Sequence, residues 1–131
     1  MSEVWVFGSN RAGIHGKGSA LEAYRKHGAI YGQGEGRQGN SYAIPTKKTP
    51  YITLPLTEIN EHAQIFIQYA SEHPEDSFHV VRIGCSLAGY KDSQIAPMFE
   101  NASSNVILPD EWKEYLNNNA SLSLDDLYDY S

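Results

Sequence analysis

Short runs of β-branched and aromatic residues alternate along this chain with longer stretches whose apolar residues recur at helical spacing. Val4-Trp5-Val6-Phe7 is β-rich and is stopped by Gly8-Ser9-Asn10, which predicts a strand almost at the first residue. After the loop Gly13-Ile14-His15-Gly16-Lys17-Gly18, a helix over about 19–28 is expected. Ser19 is its cap, Ala20, Leu21, Ala23 and Tyr24 are its apolar face, and Gly28 is its stop. The glycine-rich stretch 31–40 reads as a loop or loose hairpin. Ser41-Tyr42-Ala43-Ile44 reads as a strand closed by Pro45-Thr46-Lys47-Lys48, and Tyr51-Ile52-Thr53-Leu54 as an edge strand between two prolines. Thr57 is positioned to cap the clearest helix, whose Ile59, Ala63, Phe66, Ile67 and Ala70 share one face before Pro74.

A strand over 78–83 follows, then the glycine loop Gly84-Cys85-Ser86-Leu87-Ala88-Gly89-Tyr90. A short helix over 93–100 is limited by Pro97. Asn105-Val106-Ile107-Leu108 is a final strand, and Pro109-Asp110-Glu111 opens a terminal helix. Strands and helices alternating at these lengths imply a layered α/β domain with a largely buried sheet. The domain spans 1–120, and 121–131 is an acidic tail.

Composition narrows the class. A chain of 131 residues, 40% apolar and 20% charged, has the size and make-up of one globular domain. A formal charge of −6 argues against a protein held mainly by nucleic-acid backbone, though backbone amides can still bind a small anion. The lone Cys85 has no internal disulfide partner, which favours a reducing compartment. No signal peptide or membrane-length apolar run is visible, so a cytoplasmic location without membrane contact is expected.

The chemistry gathers at two glycine clusters. A strand ending in glycines leaves backbone N–H groups free and lets a ligand approach the main chain. Gly84 to Tyr90 meet that description after one strand, and Gly8, Ser9, Asn10, Gly13, Gly16, Lys17 and Gly18 meet it after another. Both lie where α/β folds place ligands. Asn10 can donate to and accept from a sugar hydroxyl, and Tyr90 can stack on a ribose or base. His15, flanked by glycines, is the histidine placed in the pocket. His27, His62, His73 and His79 lack metal-ligand spacing, so neither metal nor cofactor is implied. Cys85 after a β-run reads as a packing residue more than a nucleophile. Trp5 and Trp112 read as core or helix-packing residues. Gly34-Glu35-Gly36-Arg37-Gln38-Gly39 fits the dinucleotide pattern G-x-G-x-x-G but runs into a strand rather than a helix, and is read as a loop.

Four segments, Val6-Phe7-Gly8-Ser9-Asn10, Gly16-Lys17-Gly18-Ser19-Ala20, Tyr42-Ala43-Ile44-Pro45-Thr46-Lys47 and Ile83-Gly84-Cys85-Ser86-Leu87-Ala88-Gly89, together resemble macro domains. These modules bind ADP-ribose, and some hydrolyse its derivatives. The last segment is similar to the Ile-Gly-Cys-Gly-Leu loop of the subgroup with terminal ADP-ribose glycohydrolases and ADP-ribose phosphatases. The resemblance implies a three-layer α/β/α sandwich with a mixed sheet. It also implies a diphosphate and distal ribose wrapped by 84–90 from one side, with 13–19 closing over from the other, and Lys47 as the catalytic nucleophile.

The sequence departs from that pattern in three places. The family's Gly-Asp-Ile segment, whose Asp holds the adenine amino group, has no counterpart before Val4. Ser86 replaces a loop glycine. Ala88 occupies the position of the acid that partners the lysine, and Asp92, four residues on, is either a substitute or the cap of the next helix. Three functions remain open on these residues: a binder of ADP-ribose or a related NAD-derived nucleotide, a hydrolase of an ADP-ribose derivative, and a protein-interaction module with a vestigial pocket. An ADP-ribosylated macromolecule is a candidate partner of the first two. Lys47 also has a plain reading as a solvated lysine at a strand end. Oligomeric state is not legible.

Overall fold

The computed structural model describes residues 1–85 and 88–116. The acidic tail and the loop residues Ser86 and Leu87 lie outside them. Six strands form one sheet in the order β2-β3-β1-β5-β6, with β4 pairing β3. They are β1 (Glu3–Asn10), β2 (Gly36–Gln38), β3 (Ser41–Thr49), β4 (Ile52–Thr53), β5 (Ser77–Val80) and β6 (Val106–Ile107). The pairs β1–β3, β1–β5 and β5–β6 are parallel, whereas β2–β3 and β3–β4 are antiparallel. The sheet is therefore mixed, and all five expected strands share it, the one expected over 78–83 ending at Val80. The glycine-rich 31–40 stretch is a hairpin arm.

Alternation along the central strands sets the layers. Val4 and Val6 of β1, Tyr42 and Ile44 of β3, and Phe78 and Val80 of β5 face one side. There they meet Ile59, Ala63, Phe66 and Ala70 of α2 (Leu56–Ser71), with Phe99 and Trp112 closing the cluster. Phe7 and Ala43 face the other side and pack with Ala20 and Ala23 of α1 (Gly18–Lys26). The result is an α/β/α sandwich. Small residues on α1 let it lie close to the sheet, while Tyr24, expected on the buried face, is exposed. Gly28, with φ +83°, ends α1 as expected, in a conformation only glycine adopts without strain.

Several boundaries differ from the sequence reading. Position Lys17, not Ser19, precedes α1, and no side chain caps that helix. Pro55 precedes α2, so Thr57 sits inside its first turn. The region after the glycine loop divides into a short α3 (Asp92–Ile95) and a 3₁₀ turn Ala96–Phe99, and Asp92 is the first helical residue rather than the cap. The expected terminal helix is the 3₁₀ segment Asp110–Tyr115. Most consequential is β3, which continues past Pro45. Ser9 pairs with Pro45 but Asn10 pairs with Lys47, so Thr46 is an extra residue in the ladder. Proline has no N–H to give the ladder, and a bulge after it lets the strand go on while re-aiming the residues that follow.

Candidate functional site

The carboxyl end of the sheet opens into two adjoining cavities of about 220 and 320 Å³. Gly8 at the end of β1, Lys17 before α1 and Thr46 at the β3 bulge line both. The smaller cavity is completed by Gly18, Ser19, Val81, Arg82, Ile83, Gly84 and Ala88. The larger runs the other way, past Ser9, Asn10, Gly16 and Lys47 to Pro50 and Tyr51. Together they are one elongated cleft within the roughly 300–1,000 Å³ of small-ligand sites.

Glycine at position 8 lets Thr46 and Ile83 close in from the flanking strands: a Cβ there would lie 3.5 Å from each. Thr46 is buried and its hydroxyl donates to Ser9 O (3.3 Å), locking the bulge beneath the cleft. Lys47, next along, donates from Nζ to Pro50 O (3.1 Å). Across the cleft, Gly84 has φ +77° and accepts at its carbonyl from the Tyr90 N–H (2.8 Å), which closes the base of the 84–90 loop. Thr53 of β4 donates to Ala88 O (3.3 Å), and Thr53 is also the register partner of Lys47. The lysine and the loop are thereby tied to the same strand.

The cleft carries more positive charge than the chain would suggest. Its described lining holds Lys17, Lys47 and Arg82 and no Asp or Glu, in a protein of net charge −6. The amino end of α1, with no side-chain cap and no acidic residue in its first turn, opens between Lys17 and Ser19. That arrangement attracts an anion through free N–H groups and the helix dipole.

Other expected site residues serve the frame. The Asn10 amide donates to Ile14 O (2.8 Å) and accepts from the Ile14 N–H (3.0 Å), holding the 10–14 turn. The Ser9 hydroxyl donates to Gly34 O. Gly13, at φ +73°, is buried, and a Cβ on it would fall on the Gly32 carbonyl carbon. His15 is fully buried behind the cleft between Phe7 and Tyr31, and Nε2 donates to Ile30 O (2.9 Å), since a carbonyl can only accept. Tyr90 packs against the α2-side core and donates to Leu54 O (2.7 Å). Gly89, at φ +87°, is exposed and lines neither cavity.

Cys85 and Asp92 belong to a cluster beside the cleft. Burial first, and the Asp92 carboxylate second, push the Cys85 thiol up to about 12, so it is not a thiolate at neutral pH. Asp92 accepts from Arg82 Nε (3.1 Å) and Nη2 (2.7 Å) and from Trp112 Nε1 (2.8 Å). Chiefly through Arg82, its carboxyl is held at about 2 instead of 3.8. An acid so depressed is an unsuitable proton donor near neutrality. Its linkage to folding has a definite sign. A carboxyl with a lowered folded pKa stabilises fully above its unfolded value, and that stabilisation is lost as pH falls through the folded one. Wild-type protein is expected to lose thermal stability between about pH 4 and pH 2, and Asp92→Asn to be less stable at pH 7 with a shallower acid decline. Melting curves across that range check this, and parallel profiles for the two proteins would remove Asp92 from the acid response.

Sequence reading did not assign Arg82, Thr46, Pro50 or Tyr51 to the site. Thr46 had a signal, its place before Lys47. Arg82 lacked one, because its partner lies ten residues away across a loop.

No family model and no curated protein matches the chain. Among solved structures it is similar to that of Thermosipho africanus DarTG in complex with ADP-ribose, with a TM-score of 0.57 and 16% sequence identity. The match covers 82% of this chain and 38% of that one. At that identity the likeness is one of fold, and the fold is macro domain-like, as the sequence resemblance implied. Among the described residues, no helix is long and apolar enough to cross a membrane.

Proposed function

We propose that this chain binds ADP-ribose or a related NAD-derived nucleotide in the cleft at the carboxyl end of its sheet. The observation that carries the reading is the charge of that cleft: Lys17 and Lys47 line it beside the uncapped amino end of α1 with no acidic residue in the described lining, while Arg82, the third basic residue there, is paired with Asp92. The diphosphate lies between the 16–18 segment and Gly84, where N–H groups and Lys17 face it. The larger cavity, with Lys47 and Tyr51, takes the distal ribose, and the smaller one takes the nucleoside. The fold neighbour's complex with ADP-ribose supports the same class of ligand. The open outer end beside Tyr51, itself 93% exposed, leaves room for a ribose joined to a macromolecule.

Calorimetric titration tests this directly. ADP-ribose is expected to saturate one site with an affinity that weakens as ionic strength rises, and AMP to bind more weakly. Cyclic ADP-ribose and NAD rank the related ligands. Absence of saturable binding with all four would overturn the proposal.

A second reading, hydrolysis of an ADP-ribose derivative, is favoured by Lys47 alone among the candidate nucleophiles, because it lines the cleft. Cys85, whose thiol is pushed up by burial, and Asp92, the alternative acid, which is paired with Arg82, line neither cavity and are less suited to that chemistry.

A further inference from the structure

We infer that Arg82 is the platform for the nucleobase, its guanidinium plane held by Asp92 and Trp112 so that a base stacks on it at the end of the cleft away from Lys47. The inference rests on the reading of the cleft as an ADP-ribose site and goes beyond it by naming how the base is held.

The geometry is that of a fixed plate. Two parallel hydrogen bonds join Arg82 to both oxygens of Asp92, and the buried Trp112 fixes that carboxylate from behind through its indole N–H. A bidentate pair of this kind sets the orientation of the guanidinium plane as well as its position. Yet the Arg82 side chain remains 47% exposed, and the residue lines the cleft beside Val81 and Ile83. A charge already paired with Asp92 adds little net attraction for a diphosphate. A flat, weakly hydrated guanidinium face suits an aromatic base, whose π-surface every nucleotide offers.

Position argues the same way. The cleft has two ends, with Gly8, Lys17 and Thr46 shared between them. If Lys47 faces the distal ribose, the base falls at the Arg82 end. Lys17 and the α1 amino end, between the two, remain for the phosphates.

The test compares ADP-ribose with inorganic pyrophosphate, which has the phosphates and no base. Arg82→Ala is expected to weaken ADP-ribose about tenfold, and Arg82→Lys to do nearly the same, since lysine keeps the charge and loses the plane. Pyrophosphate affinity and its salt dependence should stay at the wild-type level in both. Equal losses for the two ligands, or full rescue by Arg82→Lys, would make Arg82 a phosphate cation and overturn the inference. Unchanged ADP-ribose binding in Arg82→Ala would do so as well. If wild-type protein binds pyrophosphate but not ADP-ribose, the reading of the cleft fails instead, independently of Arg82. Circular dichroism of each variant separates these results from unfolding.

Discussion

Replacing Gly16 by valine should lower ADP-ribose affinity about a hundredfold while leaving the melting temperature within a few degrees of wild type. Gly16 lines the larger cavity and is exposed, with no positive φ that a side chain would strain. A Cβ there meets nothing closer than the Tyr31 hydroxyl at 3.9 Å and an Ile14 methyl at 4.0 Å. The backbone therefore tolerates the substitution, and restricting the unfolded chain offsets any small cost. In the cleft, the branched side chain occupies space beside the amino end of α1 that the phosphates need. Gly84 does not permit so clean an experiment. It has φ +77° and is buried, and a Cβ on it would come within 3.0 Å of the Ile95 side chain, so Gly84→Val should unsettle the fold as well as the site. Calorimetry with paired melting curves separates the two variants, and Gly16→Val binding at wild-type strength would move the phosphates elsewhere.

That contrast also marks how far the sequence could be read. The β-rich runs and the apolar face of α2 announced themselves because their partners are neighbours in the pattern: alternation at Val4 and Val6, helical spacing from Ile59 to Ala70. The glycines were legible as a site but not as individuals. Gly8 and Gly16 make room at the cleft, whereas Gly13 and Gly34 serve the close packing of one loop on another. Asn10 and Ser9 have the donors and acceptors of ligand residues, yet each bonds to backbone of the surrounding loops. Nothing local to those residues distinguishes the two uses. Thr46 and Lys47 owe their position to a bulge after Pro45, where the sequence alone suggested a strand end. Arg82 became visible only when the fold brought Asp92 and Trp112 behind it.

Hydrolysis, the second reading, should turn on the pair Lys47 and Ala88. Any turnover of an ADP-ribosylated substrate by the wild type should fall to background in Lys47→Ala. Ala88→Asp should raise lysine-dependent turnover by about a hundredfold or more, the usual contribution of a positioned general acid. The physical basis is a shared strand: Thr53 pairs in register with Lys47 and donates to the carbonyl of Ala88, which ties both residues to β4, Lys47 lining the larger cavity and Ala88 the smaller one beside it. Ala88 is part-exposed and has no positive φ, so an aspartate can be accommodated. The nucleophilic lysine then gains the proton donor that a departing oxygen requires, which Asp92, tied to Arg82, does not supply. Release of ADP-ribose, followed by chromatography, reads the outcome. Turnover that survives Lys47→Ala would remove the lysine from the chemistry. Saturable ADP-ribose binding with no turnover in either wild type or Ala88→Asp would leave a cleft built to hold the nucleotide rather than to cleave it.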